Sequence, residues 1–234
     1  TRRDGRPAST PSGSSPPTVA LTALEIHCCG GLMVVPDLSS LLALETLQIR
    51  GCNFLTALPE LSGLVSLATL EITRCKGLTA VPGLSSLVAL KTLHIESNGN
   101  DMEGSVGFTA PKFPLLHELM AHTDLSSLVA LTTLKINGVC GSLRALPKLR
   151  SLVALKTLYI SRCGGLTALP ELSSLVALTT LHIDYCAGLK APPELSSLVA
   201  LTDLKISNCP GLTALPELRA LVALTTLNIS GLSR

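Results

Sequence analysis

Histidine offers the most versatile chemistry in this chain, and all five histidines lie in short segments predicted as strands. His94 and His122, with Glu96 nearby, supply the nitrogen and carboxylate ligands that zinc accepts, but they follow no tight zinc-binding spacing. No Ser-His-Asp, Cys-His, phosphate-loop or paired-carboxylate arrangement can be identified in the sequence. The sequence therefore predicts a non-enzymatic protein with no catalytic residues, no metal and no cofactor. Zinc at His94 and His122 is the enzymatic alternative.

Eight cysteines raise the question of a disulfide framework. Seven of them occupy one position of a repeating pattern: Cys29, Cys52, Cys75, Cys140, Cys163, Cys186 and Cys209. Side chains that stack in parallel give poor disulfide geometry, so we expect a ladder of buried, reduced thiols that act as weak donors. Reduced thiols are typical of the cytoplasm, which is the predicted location. Cys28 lies off the ladder and is expected to be exposed.

Six polar and aromatic residues form the best candidate binding site. They lie in, or directly after, three adjacent predicted strands: Tyr159, Arg162, His182, Asp184, Tyr185 and Lys205. Tyr and Arg are enriched at protein-binding hot spots, and both tyrosines of the chain belong to this set. The set predicts a site for a protein ligand, against the alternative of ordinary exposed residues on a sheet. A second, more acidic patch joins Glu25, His27 and Glu71.

The repeating pattern also organises the elements that must position these side chains. Anchor leucines recur with one constant spacing at Leu21, Leu44, Leu67 and Leu90, and again from Leu155 to Leu224. Shortly after each anchor, a Leu-x-Ile triplet marks the centre of a predicted strand. Nine such strands are centred on Leu24-Ile26, Leu47-Ile49, Leu70-Ile72, Leu93-Ile95, Leu134-Ile136, Leu158-Ile160, Leu181-Ile183, Leu204-Ile206 and Leu227-Ile229. The return segment, Leu-Pro-Glu-Leu-Ser-Ser-Leu, is expected to form one turn of 3₁₀- or α-helix.

Through this 23-residue phrase, residues 19–234 resemble the leucine-rich repeat proteins. The resemblance implies an α/β fold: a right-handed, curved solenoid with a parallel concave β-sheet and short 3₁₀ or helical convex segments. The Cys-x-x-Leu-x-x-Leu-Pro part is similar to the leucine-rich regions of plant intracellular immune receptors and of protist leucine-rich repeat proteins. It implies sensing or scaffolding as part of a larger intracellular protein.

The two exposed faces of the predicted solenoid differ in how much they vary. Leu-Ser-Ser-Leu-Val-Ala-Leu occurs unchanged at 84–90, 125–131, 172–178 and 195–201, whereas the outward strand residues change at nearly every repeat. If exposed positions had merely drifted, both faces would have diversified. The concave sheet is therefore the predicted recognition surface, and recent duplication of the copies is the alternative.

Two segments depart from the repeat. Residues 1–18 form a Pro/Ser-rich tail that is predicted to be disordered. Leu90 and Leu131 are separated by almost twice the usual spacing of the anchors, which predicts an irregular insertion at 98–124 that contains a degenerate strand near Leu116. We see no polar cap at either end of the array, which suggests a fragment of a longer protein.

Charge and hydropathy exclude some partners. The net charge of +2 comes from the tail, where Arg2, Arg3 and Arg6 outnumber Asp4, and the array itself is neutral. A nucleic-acid binder would carry a basic stripe, and a membrane span needs about 20 apolar residues in a row, so we predict neither partner. A protein ligand is the predicted partner. The alternatives are a structural, self-associating array that forms homo-oligomers through uncapped ends, and a recognition domain attached to a missing catalytic or nucleotide-binding domain.

Overall fold

The computed structural model describes residues 20–97, 124–138 and 143–232. Over these residues it contains nine strands in one parallel sheet, in the order of the chain. The strands are β1 Ala23–His27, β2 Thr46–Arg50, β3 Thr69–Thr73, β4 Thr92–Ser97, β5 Thr133–Gly138, β6 Thr157–Ser161, β7 Thr180–Asp184, β8 Asp203–Ser207 and β9 Thr226–Ser230. The predicted curved solenoid with a parallel concave sheet is confirmed.

The strands form because each carries one apolar face. Successive side chains of a strand point to opposite sides of the sheet, so the Leu and Ile of each Leu-x-Ile triplet point together into the interior. The register aligns equivalent residues, with Leu47 opposite Leu70 and Ile49 opposite Ile72. These four side chains are fully buried. Each repeat therefore completes its core only against its neighbours, which is the basis of solenoid stability.

The return segments contain less helix than expected. Among the described residues, a single 3₁₀-helix covers Leu84–Ser86, and the other returns are turns. In most of them an acidic side chain accepts a hydrogen bond from the residue two positions later, as when Ser126 N–H donates to Asp124 Oδ1 at 2.9 Å. Such local bonds compete with a helical turn. The 3₁₀-helix begins after Gly83, which stands where those repeats carry the acid.

The loops that follow the strands stack very closely. A Cβ added to Gly188 would lie 2.4 Å from the carbonyl oxygen of Gly164 and 3.0 Å from that of Leu166. Gly211 meets the repeat before it in the same way, at 2.6 Å from two carbonyl oxygens. Glycine at this position therefore sets how closely consecutive repeats can pack.

The long interval between Leu90 and Leu131 does not interrupt the sheet. Strand β4 pairs directly with β5 over six residue pairs, from Thr92↔Thr133 to Ser97↔Gly138. The expected degenerate strand, nearly all of the insertion at 98–124, and the 1–18 tail lie outside the described residues. The described part of the chain has no helix that is long and apolar enough to cross a membrane.

Candidate functional site

The residue just after seven of the nine strands adopts an unusual backbone conformation. It has a positive φ in these seven described repeats. The seven residues are Cys28, Gly51, Arg74, Arg162, Tyr185, Asn208 and Gly231. In most of these repeats its N–H continues the ladder, as when Tyr185 N–H donates to the Ser207 carbonyl at 3.0 Å. The left-handed region is costly for residues that have a Cβ. We call these seven positions the left-handed row. Sequence reasoning missed it, although Gly51 and Gly231 were a signal.

Five of the six predicted site residues form one exposed or half-buried surface on β6–β8. The Arg162 guanidinium lies over the Tyr185 ring, 5.9 Å from its centroid. The rings of Tyr159 and His182 meet edge to face, with their centroids 6.1 Å apart. Lys205 lies beside His182 in the register. We call these five residues the Tyr/Arg cluster: Tyr159, Arg162, His182, Tyr185 and Lys205.

Asp203 holds the histidine of this cluster in place. Its Oδ2 lies 2.8 Å from His182 Nε2. Seven of the nine strands begin with Thr, and only β1, with Ala, and β8, with Asp203, differ. That substitution in the repeat was a signal in the sequence, but the sequence analysis did not use it.

Asp184, the sixth predicted residue, is buried instead of presented to solvent. Its Oδ1 accepts hydrogen bonds from Ser207 Oγ at 2.7 Å and Asn208 Nδ2 at 3.1 Å. Lys205 Nζ lies 3.8 Å from Oδ2. The expectation that this strand position faces solvent is wrong for Thr73, Ser161, Asp184 and Ser207, which are all buried. These side chains are short, whereas the longer His27 and Arg50 at the same repeat position are exposed.

A second site lies on β1–β5, around the patch of Glu25, His27 and Glu71. Its cavity of about 560 Å³ is lined by charged groups from five consecutive strands. Arg50 forms an ion pair with Glu71, and Arg74 Nε lies 3.7 Å from Glu96 Oε1. His27 and Glu71 of the predicted acidic patch thus line a mixed-charge cavity in which each arginine pairs with a carboxylate one strand away. Glu25 does not line it, and its Oε2 lies 3.8 Å from His27 Nε2.

His94 lines this cavity and is half-buried. Its Nε2 lies 3.7 Å from Glu96 Oε2, and burial lowers the pKa of His94 below its usual value of 6.5. Among the described residues, no three His, Cys, Asp or Glu side chains come together as a metal site. His122, the second ligand of the zinc alternative, lies outside them.

The thiol ladder runs through the loops behind both sites. Each Sγ of the six ladder cysteines that the structure describes donates to the carbonyl two residues earlier, at 3.4 Å for Cys163 and Cys186 and 3.2 Å for Cys209. All seven described cysteines are free. Burial raises the pKa of Cys75 to about 11. Cys28 is exposed as expected, whereas Cys29 is also exposed and not buried, because no repeat among the described residues covers the first rung.

Comparison with known proteins finds a family profile and solved structures that are similar to this chain. A profile of the family described as R13L1/DRL21 LRRs matches residues 165–232. The leucine-rich repeat domain of the type III effector XopL is 26% identical, with a TM-score of 0.67 over 90% of this chain and 68% of that chain. An internalin from Listeria monocytogenes is 16% identical, with a TM-score of 0.42 over 91% of this chain and 68% of its own. No curated protein matches this sequence.

Proposed function

Because the chain is a leucine-rich repeat protein with repeats of about 23 residues, we propose that it binds a protein ligand through the Tyr/Arg cluster on its concave sheet. Leucine-rich repeat domains are typically protein-interaction modules and are generally non-catalytic. The proposal specifies the face and the strands that bind the ligand, and the chemical groups that the ligand carries.

The observation that carries the proposal is the contact of Arg162 with Tyr185, made at the surface from two strained backbone positions. Their φ values are 57° and 52°, whereas Gly51 and Gly231 fill the same position of other repeats without a Cβ. A residue with a Cβ in this region costs about 1–3 kcal/mol. The exposed stacking of Arg162 on Tyr185 returns only about 0.5–1 kcal/mol. Cys28, Arg74 and Asn208 share this backbone conformation. Arg162 and Tyr185 differ from them by lying against each other at the surface, and Tyr and Arg are the residue types enriched where proteins contact their partners.

The charges of the cluster indicate the chemistry of the ligand. The Asp184 carboxylate is buried and accepts from Ser207 and Asn208, and the Asp203 carboxylate is bound to His182. Lys205 Nζ also lies 3.8 Å from Asp184 Oδ2. The cluster therefore presents mainly the rings of Tyr159 and Tyr185, with the Arg162 guanidinium lying over Tyr185, which is 54% exposed. Such a surface suits a segment that carries a carboxylate next to an apolar or aromatic side chain.

The wider setting is proposed from sequence and chemistry together. The domain division, with a tail at 1–18 and a solenoid at 19–234, rests on the sequence. An intracellular location, as the recognition segment of a larger protein, is supported by the free thiols of the described ladder.

The test is affinity capture from the source cell with glycine variants. Arg162→Gly and Tyr185→Gly, made together, remove both side chains from left-handed positions that glycine adopts without strain. The variant should stay folded and lose the partners that the parent chain captures. Arg74→Gly is the matched control, since Arg74 has φ of 59° at the same repeat position in the other site, and it should keep them.

Two outcomes contradict the proposal. Partners that remain bound to the double variant exclude the Tyr/Arg cluster. Partners that are lost only with Arg74→Gly move recognition to the mixed-charge cavity on β1–β5.

A further inference from the structure

A continuous line of exposed apolar side chains runs along the edge of the solenoid where the chain enters the strands. It consists of Leu42, Val65, Val88, Val129, Val153, Val176, Val199 and Val222, one from each of eight repeats. Each of these residues is between 52% and 84% exposed. We call this line the valine stripe. It does not belong to the concave sheet and plays no part in the proposed recognition site.

The stripe exists because every repeat makes the same turn at this point. In the repeat before β7, Leu178 N–H donates to the Leu175 carbonyl at 2.9 Å, so Val176 and Ala177 form the tip of the turn. The flanking leucines are buried, and the valine points outward. A turn tip in water favours polar residues or glycine, so an exposed valine here is unexpected.

Consecutive turns lie next to each other along the whole stripe. Just after the turn, Lys91 N–H donates to the Ala68 carbonyl at 2.8 Å, and Thr132 N–H donates to the Lys91 carbonyl at 2.9 Å. Val88 and Val129 are therefore neighbours, although the long insertion separates them in the sequence. At the spacing of about 4.8 Å between strands, valine side chains form one unbroken apolar surface.

The valine persists where residues around it have changed. Gly63 and Ser66 replace the usual Ser and Ala around Val65, and Arg150 replaces a Ser near Val153. The stripe position itself changes once, to Leu42, which is again a branched apolar residue, whereas the changes beside it introduce Gly, Ser or Arg. An apolar residue at this position is thus maintained separately from the rest of the turn.

We propose that the valine stripe is the interface of a symmetric dimer of this chain. The exposed parts of the eight side chains amount to roughly 600 Å² per copy, so that two stripes with their flanking Ala and Ser residues bury roughly 1,500 Å², within the range of stable specific interfaces. A second copy is the occupant because it presents apolar residues at the same spacing, so all eight contacts form at once.

Two-fold symmetry fixes which residues meet. The stripe lies along the side of the arc, where two curved arrays can face each other antiparallel along their full length, and an isologous dimer places the axis at the midpoint. That midpoint falls between Val129 and Val153, which face each other across the axis. Val88 then faces Val176 of the other copy, and Val65 faces Val199. Both concave sheets remain open in this arrangement, so each dimer offers two recognition sites.

The first experiment is sedimentation of the full chain over a concentration series. The parent chain should be dimeric, and Val129→Lys with Val153→Lys should raise the dimer dissociation constant at least about 100-fold, since four like charges would meet at the centre. Met33→Lys with Phe54→Lys is the control, because it adds the same charges at exposed apolar residues off the stripe. That control should leave the dimer intact.

The second experiment tests the register and does not depend on the central pair. Val88→Lys should weaken the dimer, and adding Val176→Asp should restore it, whereas adding Val199→Asp should not. A parent chain that is monomeric at several hundred micromolar would overturn the proposal. So would a dimer that tolerates the central lysines, or equal rescue by both aspartates. Far-UV circular dichroism of each variant confirms that the strands are intact.

Discussion

Gly188→Ala should destabilise the protein far more than the addition of a single methyl group usually does. The added Cβ would lie 2.4 Å from the Gly164 carbonyl oxygen and 3.0 Å from that of Leu166. Both obstacles are backbone atoms of the preceding repeat, so no side chain can rotate away. The two repeats would have to separate by close to an ångström, and overpacking of this kind costs about 3 kcal/mol.

Gly164→Ala is the matched control for this prediction. Nothing lies within 4 Å of a Cβ built on Gly164, and its φ is outside the left-handed region. The same substitution there should be neutral or should stabilise by up to about 1 kcal/mol, because alanine restricts the unfolded chain. Each variant adds one methyl group, and the two lie in neighbouring loops. The difference between their free energies of unfolding therefore measures how tightly the repeats stack at Gly188.

The assay is urea unfolding followed by far-UV circular dichroism, with the parent and both variants side by side. We expect Gly188→Ala to lower the midpoint with an unchanged slope, and its melting temperature to fall by roughly 6–12 °C. Equal midpoints for the two variants would refute the reasoning, since they would show that the repeats do not pack against this glycine.

Three further predictions concern single side chains. At pH 8, iodoacetamide should label Cys28 and Cys29 in the folded protein but not Cys75, whose pKa burial raises to about 11, and peptide mapping by mass spectrometry reads the result. Because burial lowers the pKa of His94, the unfolded chain binds the proton more readily, so stability present above pH 6.5 is lost as the pH falls. His94→Gln should reduce that loss, as measured by urea midpoints at pH 7.5 and 5. Asp184→Ala leaves a hydroxyl and an amide without their acceptor and should cost about 1–3 kcal/mol in the same unfolding assay.

Each of these has a result that would contradict it. Labelling of Cys75 at the rate of Cys29 would show that the ladder opens in the folded state. An identical pH dependence with and without His94 would mean that its burial does not affect folding. Unchanged stability of Asp184→Ala would show that Ser207 and Asn208 find other acceptors.

The interior of this fold could be predicted from the sequence because periodicity determines it. The Leu-x-Ile triplet repeats with one spacing, and the side of the sheet that each residue faces depends only on that spacing. The thiols of Cys163 and Cys186 are buried for the same reason. Cys29 occupies the same repeat position but is exposed, because burial in a solenoid also needs a neighbouring repeat.

The candidate site was harder to predict because it depends on backbone angles and side-chain length. Tyr159 and His182 were placed correctly on the concave face by alternation alone. Asp184 was not, since its carboxylate accepts hydrogen bonds from Ser207 and Asn208 of the next repeat and is buried there. The arginine partners of Glu71 and Glu96 come from adjacent strands, and only the register of the sheet brings them together.

The spacing of the strands also limits how many of them a helical ligand can contact in register. Consecutive rows such as Tyr159, His182 and Lys205 advance by one strand, about 4.8 Å, whereas an α-helix laid across the strands advances about 5.4 Å per turn. The turns of the helix therefore fall out of register with the strands by about 0.6 Å per strand, and by about 2 Å after three strands. A helical ligand that fits β6–β8 has therefore lost alignment before it reaches β3. The Tyr/Arg cluster and the mixed-charge cavity are therefore too far apart for a single rigid helix to contact both in register.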